Sequence, residues 1–162
     1  MFDEVLKLDD INIDNLAYLL ARYQLDLVVV DEEKIPGSFW GDSEAGLVGN
    51  KLYARLDTPV HSIMHESCHY ICMDEQRRAN LDTNAEGDYD EENAVCYLQI
   101  LLADDIAEMQ QSRMMSDMDH WGYTFRLGNT RNWFEQDADD AVNWLNRHKL
   151  LTHKKPNYQL RQ

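Results

Sequence analysis

His65 and His69 stand four residues apart and enclose Glu66 in the run His65-Glu66-Ser67-Cys68-His69. On a helix, residues at that spacing lie on one face, so both imidazoles can turn a nitrogen toward a single metal ion. Glu66 then falls about a quarter-turn to the side, near enough to handle a water on the metal without being a ligand itself. The chemistry served by these residue types at this spacing is zinc-dependent hydrolysis of a peptide bond. Zinc would acidify its water and polarise the scissile carbonyl, and Glu66 would take the proton and pass it to the leaving amine. A donor to the developing oxyanion is also needed, and His120, Tyr123 and Tyr70 are the candidates by type.

This reading requires the segment to be helical. Thr58 or Asp57 can cap its start, Pro59 suits the first turn, and neither glycine nor proline interrupts before Asp74. Val60, Ile63, Met64, Cys68 and Ile71 form an apolar stripe at helical spacing, which buries one side and holds the histidine side rigidly. His61 is also four residues from His65, but no mechanism attaches to that pair.

A third ligand is expected from the helical pattern beginning at Glu91 and running to Met109. Ala94, Val95, Leu98, Leu101 and Leu102 make its apolar stripe, Glu91 projects into the middle of it, and Glu92 points about 100° away. A carboxylate aligned with a buried stripe is costly unless a positive charge meets it. Glu91 is therefore the expected third ligand of a His65, His69, Glu91 site with a fourth position open for water, and Glu92 and His120 are its rivals.

The remaining elements supply a frame. Asn12 to Tyr23 reads as an amphipathic helix capped by Asn12 or Asp14, and Leu25 to Val30 as a buried strand. Turns at Pro36-Gly37 and near Glu44-Ala45-Gly46 punctuate Ser38-Phe39-Trp40, Leu47-Val48 and Leu52-Tyr53-Ala54, which predicts a small antiparallel sheet leading into the motif helix. Asp74 to Asp90 is polar and reads as a solvated connection or a lid. Met115 to Gly128 reads as irregular, and Asn129 or Thr130 caps a last helix containing Trp133, Phe134, Val142, Trp144 and Leu145. The expectation is an α+β fold, with one domain over residues 1–146 and a basic tail, 147–162, that is disordered.

The 162 residues carry 30 acidic and 15 Lys or Arg side chains, a net charge of −15 at pH 7. That balance argues against nucleic acid or an anionic membrane as partner and favours a neutral or cationic protein or peptide substrate. No stretch reaches the length of a membrane span, and Met1-Phe2-Asp3-Glu4 lacks a secretory start, so the cytoplasm is expected. Cys68, Cys72 and Cys96 are odd in number and lie in helical patterns, and are read as reduced and buried. Oligomeric state is open.

The HExxH helix followed by Glu91-x-x-Ala94-x-x-Tyr97-Leu98-x-x-Leu101-Leu102 resembles the ImmA/IrrE-type metallopeptidases over about residues 10 to 105. The resemblance implies a zincin-like fold, a small sheet packed on an active-site helix with further helices, and Glu91 as metal ligand. Ser67-Cys68 and Val95 depart from that family's usual glycine and asparagine. Two alternatives stand beside it: an inactive, metallopeptidase-like interaction protein, and an SprT-like protease with His120 as its last ligand.

Overall fold

A computed structural model of the chain describes residues 5–31, 34–38, 44–81 and 87–162. Phe39 and Trp40 of the expected sheet, and Asp82 and Glu86 of the expected lid, lie outside the described residues. Helix α1 (Ile13–Ala21) begins where Asn12 accepts a hydrogen bond from Asn15 N, and buries Leu16, Leu19 and Leu20. It packs on strand β1 (Asp26–Val29), one edge of a three-stranded sheet with β2 (Gly46–Val48) and β3 (Lys51–Ala54).

The sheet is mixed rather than antiparallel. Strand β3 lies in the middle, antiparallel to β2 in the register Leu47 with Leu52, and parallel to β1 in the register Leu27 with Leu52. The physical reason is the connection after β1. It carries the chain past β3's place to the far edge, so the β2–β3 hairpin inserts its second strand beside β1 and pointing the same way.

Helix α2 (Val60–Cys72) carries the histidine pair. Its start has no side-chain cap: Thr58 Oγ1 accepts from Arg55 N instead, and Pro59 takes the N-cap position. An orphan donor of the first turn, Val60 N, bonds Leu6 O at 2.8 Å, while Leu8 N bonds Thr58 O at 2.9 Å. The N-terminal segment thus takes over the work of a cap. It is held in turn by Asp117, which is 1 % exposed and accepts from Leu6 N and from Arg113 Nε, both at 2.9 Å. Val60, Ile63, Met64, Cys68 and Ile71 are all fully buried, as their spacing predicts.

Beyond α2 the chain is more helical than its pattern suggests. A short α3 (Glu75–Ala79), capped by Asp74, occupies the start of the expected solvated connection. Helix α4 (Tyr89–Leu102), capped by Asp88, packs across α2 but stops seven residues before Met109 in a 3-10 turn at Ala103–Asp105. The stretch expected to be irregular is largely helix α5 (Gln110–Trp121), with Met114, Met115 and Met118 buried and Gly122 (φ +107°) ending it. Methionines spaced at helical intervals among polar residues give too weak an apolar signal to read from sequence. The last helix is two, α6 (Thr130–Gln136) capped by Asn129 and α7 (Asp139–Arg147), divided at Asp137–Ala138.

The basic tail is docked, not disordered. Strands β4 (Leu151–Thr152) and β5 (Lys155–Pro156) form a hairpin, with His153 and Lys154 at positive φ as its two turn residues. Leu150 and Leu151 are buried, and Arg161 N donates to Ile71 O at 3.0 Å on the end of α2. The elements form an α+β arrangement.

Asp117→Ala would leave Leu6 N and Arg113 without their acceptor beneath the start of α2. We expect a loss of about 2–3 kcal/mol in urea unfolding, with far-UV circular dichroism of the folded state unchanged.

Candidate metal centre

Four side chains converge between α2 and α4. His65 Nε2 lies 2.9 Å from Glu92 Oε1, His69 Nε2 lies 3.0 Å from Glu92 Oε2, and the two imidazole nitrogens are 3.2 Å apart. The fourth, Gln99, fixes which nitrogen His65 presents. Its Oε1 is 2.9 Å from His65 Nδ1, while its Nε2 donates to His61 O at 3.1 Å. An amide oxygen can only accept, so His65 carries a proton on Nδ1, and when the ring is neutral it is the lone pair on Nε2 that faces Glu92 and His69.

Three electron-rich atoms then meet within about hydrogen-bond distance, and a positive charge must sit among them. A proton is one solution. Burial opposes a charge on His65, but Tyr123, Cys96 and Glu92 around the ring outweigh it and hold its pKa well above the usual imidazole range. Burial likewise raises Glu92, yet the two histidines more than offset it and keep that carboxyl well below its usual range. A divalent cation is the other solution. Zinc bonds of about 2.0–2.1 Å in tetrahedral geometry separate donors by roughly 3.3 Å, so the three atoms need spread only slightly to hold one ion. His65, His69 and Glu92 are a set of donors placed to bind a metal ion.

Glu91, the ligand expected from sequence, is turned away. It is buried as the stripe predicts, 3 % exposed, but its positive partners are two arginines. Arg77 of α3 grips it at both oxygens, 2.7 and 2.9 Å, and Arg161 of the tail reaches Oε1 at 3.1 Å. Gly87 makes the room, since a Cβ there would fall 1.7 Å from Glu91 Oε2. The third donor is Glu92, about 100° round the helix. A sequence signal for it exists: Glu92, Cys96 and Gln99 are spaced i, i+4, i+7 and form a polar stripe down one face of α4, with Cys96 hydrogen-bonded to His65.

The other residues singled out by type are placed as follows. Glu66 follows His65 on α2, half-buried, and lies near enough to Tyr123 for its charge to help raise that phenol's pKa. Tyr123 is at the site: its ring stands edge-on to His65 with centroids 5.5 Å apart, and burial pushes its hydroxyl up to about 12, which keeps it a neutral donor. His120 is exposed on α5 and outside the donor set. Tyr70 faces elsewhere, lining a separate cavity with Arg78, Gln24 and Tyr158. His61 packs against Trp121, sits 3.2 Å from Tyr123 Oη through Nδ1, and is driven down to about 3 by burial, so it is a neutral packing residue. The three cysteines are free and buried. His69 Nδ1 is buried without a hydrogen-bond partner among the described residues, so the outer support given to His65 by Gln99 has no counterpart there.

Comparison of the chain with protein-family models, with curated proteins and with solved structures gave no match. The reading of the site therefore rests on its own geometry.

The two carboxylates separate by measurement. Glu92→Gln is expected to weaken zinc binding at least a hundredfold in competition with a chelating dye, because it removes the charged donor. Glu91→Gln is expected to leave zinc affinity within a few-fold while costing about 2–3 kcal/mol of stability, since it strips the charge from a buried pair whose arginines partly reach solvent. Gln99→Leu removes the acceptor that sets the His65 tautomer and should cost about 10–100-fold in zinc affinity with little change in thermal midpoint of the metal-free protein.

Proposed function

We propose that this chain is a zinc-dependent metallopeptidase acting on a protein or peptide substrate. The observation that carries the reading is the meeting of His65, His69 and Glu92 at 2.9–3.2 Å, with Glu66 next to His65 on α2. Two imidazoles and one carboxylate are a donor set that leaves a position free for water, as in hydrolytic zinc sites. Zinc bound there supplies Lewis acidity, acidifying a water and polarising a carbonyl.

The chain's own groups do the rest. Glu66 receives the proton of the attacking water on its carboxylate and delivers it to the departing amine. Gln99 holds the His65 ring in the tautomer that keeps Nε2 available, and Cys96 steadies the same ring. Tyr123, neutral at physiological pH with its ring edge-on to His65, serves as donor to the oxygen that gains charge in this reading, in preference to exposed His120 and to Tyr70, which lines a separate cavity. The ImmA/IrrE-type resemblance implies Glu91 as the ligand, and this reading takes Glu92 instead. The SprT-like alternative loses its ligand with His120 exposed on α5.

Glu66→Gln is expected to bind zinc as the wild type does and to lower peptide hydrolysis by at least about a hundredfold. The measurement is turnover of a quenched-fluorescent peptide pool by zinc-loaded protein, with metal content determined in parallel. Equal turnover by the variant would refute the mechanism.

A further inference from the structure

A cavity of about 500 Å³ opens between α4, the segment after α5, and the corner joining α6 to α7. Two of its walls are continuous in the chain with residues of the metal centre. Tyr89 lies three residues before Glu92, on the same face of α4, and the lining residues Thr124 to Arg126 directly follow Tyr123. The floor is aromatic: Phe125 and Trp133 stack with centroids 4.5 Å apart and an interplanar angle of 21°. Tyr89, 74 % exposed, stands over it as a large aromatic face offered to solvent.

The charges at the rim are unequal. Arg126 is committed to Asp137, with Nε donating to Oδ2 at 2.7 Å, so that pair presents little net charge to a ligand. Asp140 also lines the cavity, and its charge reaches Arg126 as well, so the rim holds two carboxylates against one guanidinium and keeps a net negative charge. An aromatic floor with one uncompensated carboxylate, on a protein of net charge −15, suits a long side chain with an apolar stem and a cationic head. An acidic side chain would meet Asp140, and a plain aliphatic one would leave it unanswered.

We propose that this cavity is a specificity pocket that seats a lysine or arginine side chain of the peptide substrate next to the bond to be cut. The proposal rests on the peptidase reading. The stem lies over Phe125 and Trp133, the cation meets Asp140 and the face of Tyr89, and the peptide backbone is thereby led past Tyr123 toward His65 and Glu92.

The test uses zinc-loaded Glu66→Gln protein, so that binding is measured without turnover. Two degenerate peptide pools are compared by calorimetry, identical except that a single arginine in one is replaced by its neutral isostere citrulline in the other. The arginine pool should bind about tenfold more tightly. Adding Asp140→Asn should reduce that preference to less than about twofold, whereas Asp14→Asn on α1 should leave it intact. Equal binding of the two pools overturns the pocket, and so does a preference that survives Asp140→Asn or falls equally with Asp14→Asn, which is long-range attraction to an acidic surface. Cleavage by the wild type is scored separately: a binding preference that depends on Asp140, in a zinc-loaded protein that cuts neither pool, overturns the peptidase reading and not the pocket.

Discussion

Two neighbouring carboxylates on one buried helix cannot share a counter-charge, because successive residues are turned about 100° from each other around the axis. Glu91 and Glu92 are in that position on α4, and each must find its own cation as the helix packs against α2. Glu91 takes two guanidiniums, one from α3 and one from the tail, and Glu92 takes the imidazole pair of α2. Glu91, 3 % exposed, would cost several kcal/mol if left unpaired, and Glu92, partly open to solvent, would cost less, so the rotation of α4 answers two charge requirements of unequal weight. Much of the arrangement around the site follows from this. The tail is docked because Arg161 has a buried acid to neutralise, and α3 sits where Arg77 can reach the same acid.

The shell around the histidines divides into groups that charge and groups that do not. Gln99 ties His65 to the backbone carbonyl of His61 one turn earlier, so a single amide sets the tautomer of one histidine and braces α2 at another. His61 itself, Tyr123 and the buried thiols are held neutral by burial. Among the described residues, the donors that converge on a positive charge entering this region are His65, His69 and Glu92. Confining charge in this way keeps field strength high where it is used, since nearby neutral groups do not screen it as water would.

The surface has its own logic. A strongly acidic body repels polyanions and draws cationic chains toward it at long range, an effect that salt weakens. Such attraction alone would not orient a substrate. In the proposed pocket, the aromatic faces and the aspartates of the cavity between α4 and the α6–α7 corner would give the attraction a fixed end point, with the Arg126–Asp137 pair walling one side. No helix among the described residues is long and apolar enough to cross a membrane, as the sequence also suggests.

Local chemistry was legible wherever it lay within one element. The stripe Val60, Ile63, Met64, Cys68 and Ile71 dictates which side of α2 is buried, Asn12 and Asn129 announce helix starts, and the spacing of His65 and His69 places two imidazoles on one face. The burial of Glu91 was legible too. What answers its charge was not, because Arg77 and Arg161 lie 14 and 70 positions away and reach it only once α3 and the tail are folded back. The parallel pairing of β1 with β3, the docking of residues 147–162 and the helix under the methionines of α5 were likewise hidden. Periodicity within a segment fixes which residues share a face of that segment. The partner toward which the face turns depends on packing and charge neutralisation among segments distant in sequence, and that is why the sequence determined the histidine pair while the tertiary structure decided which glutamate joins it.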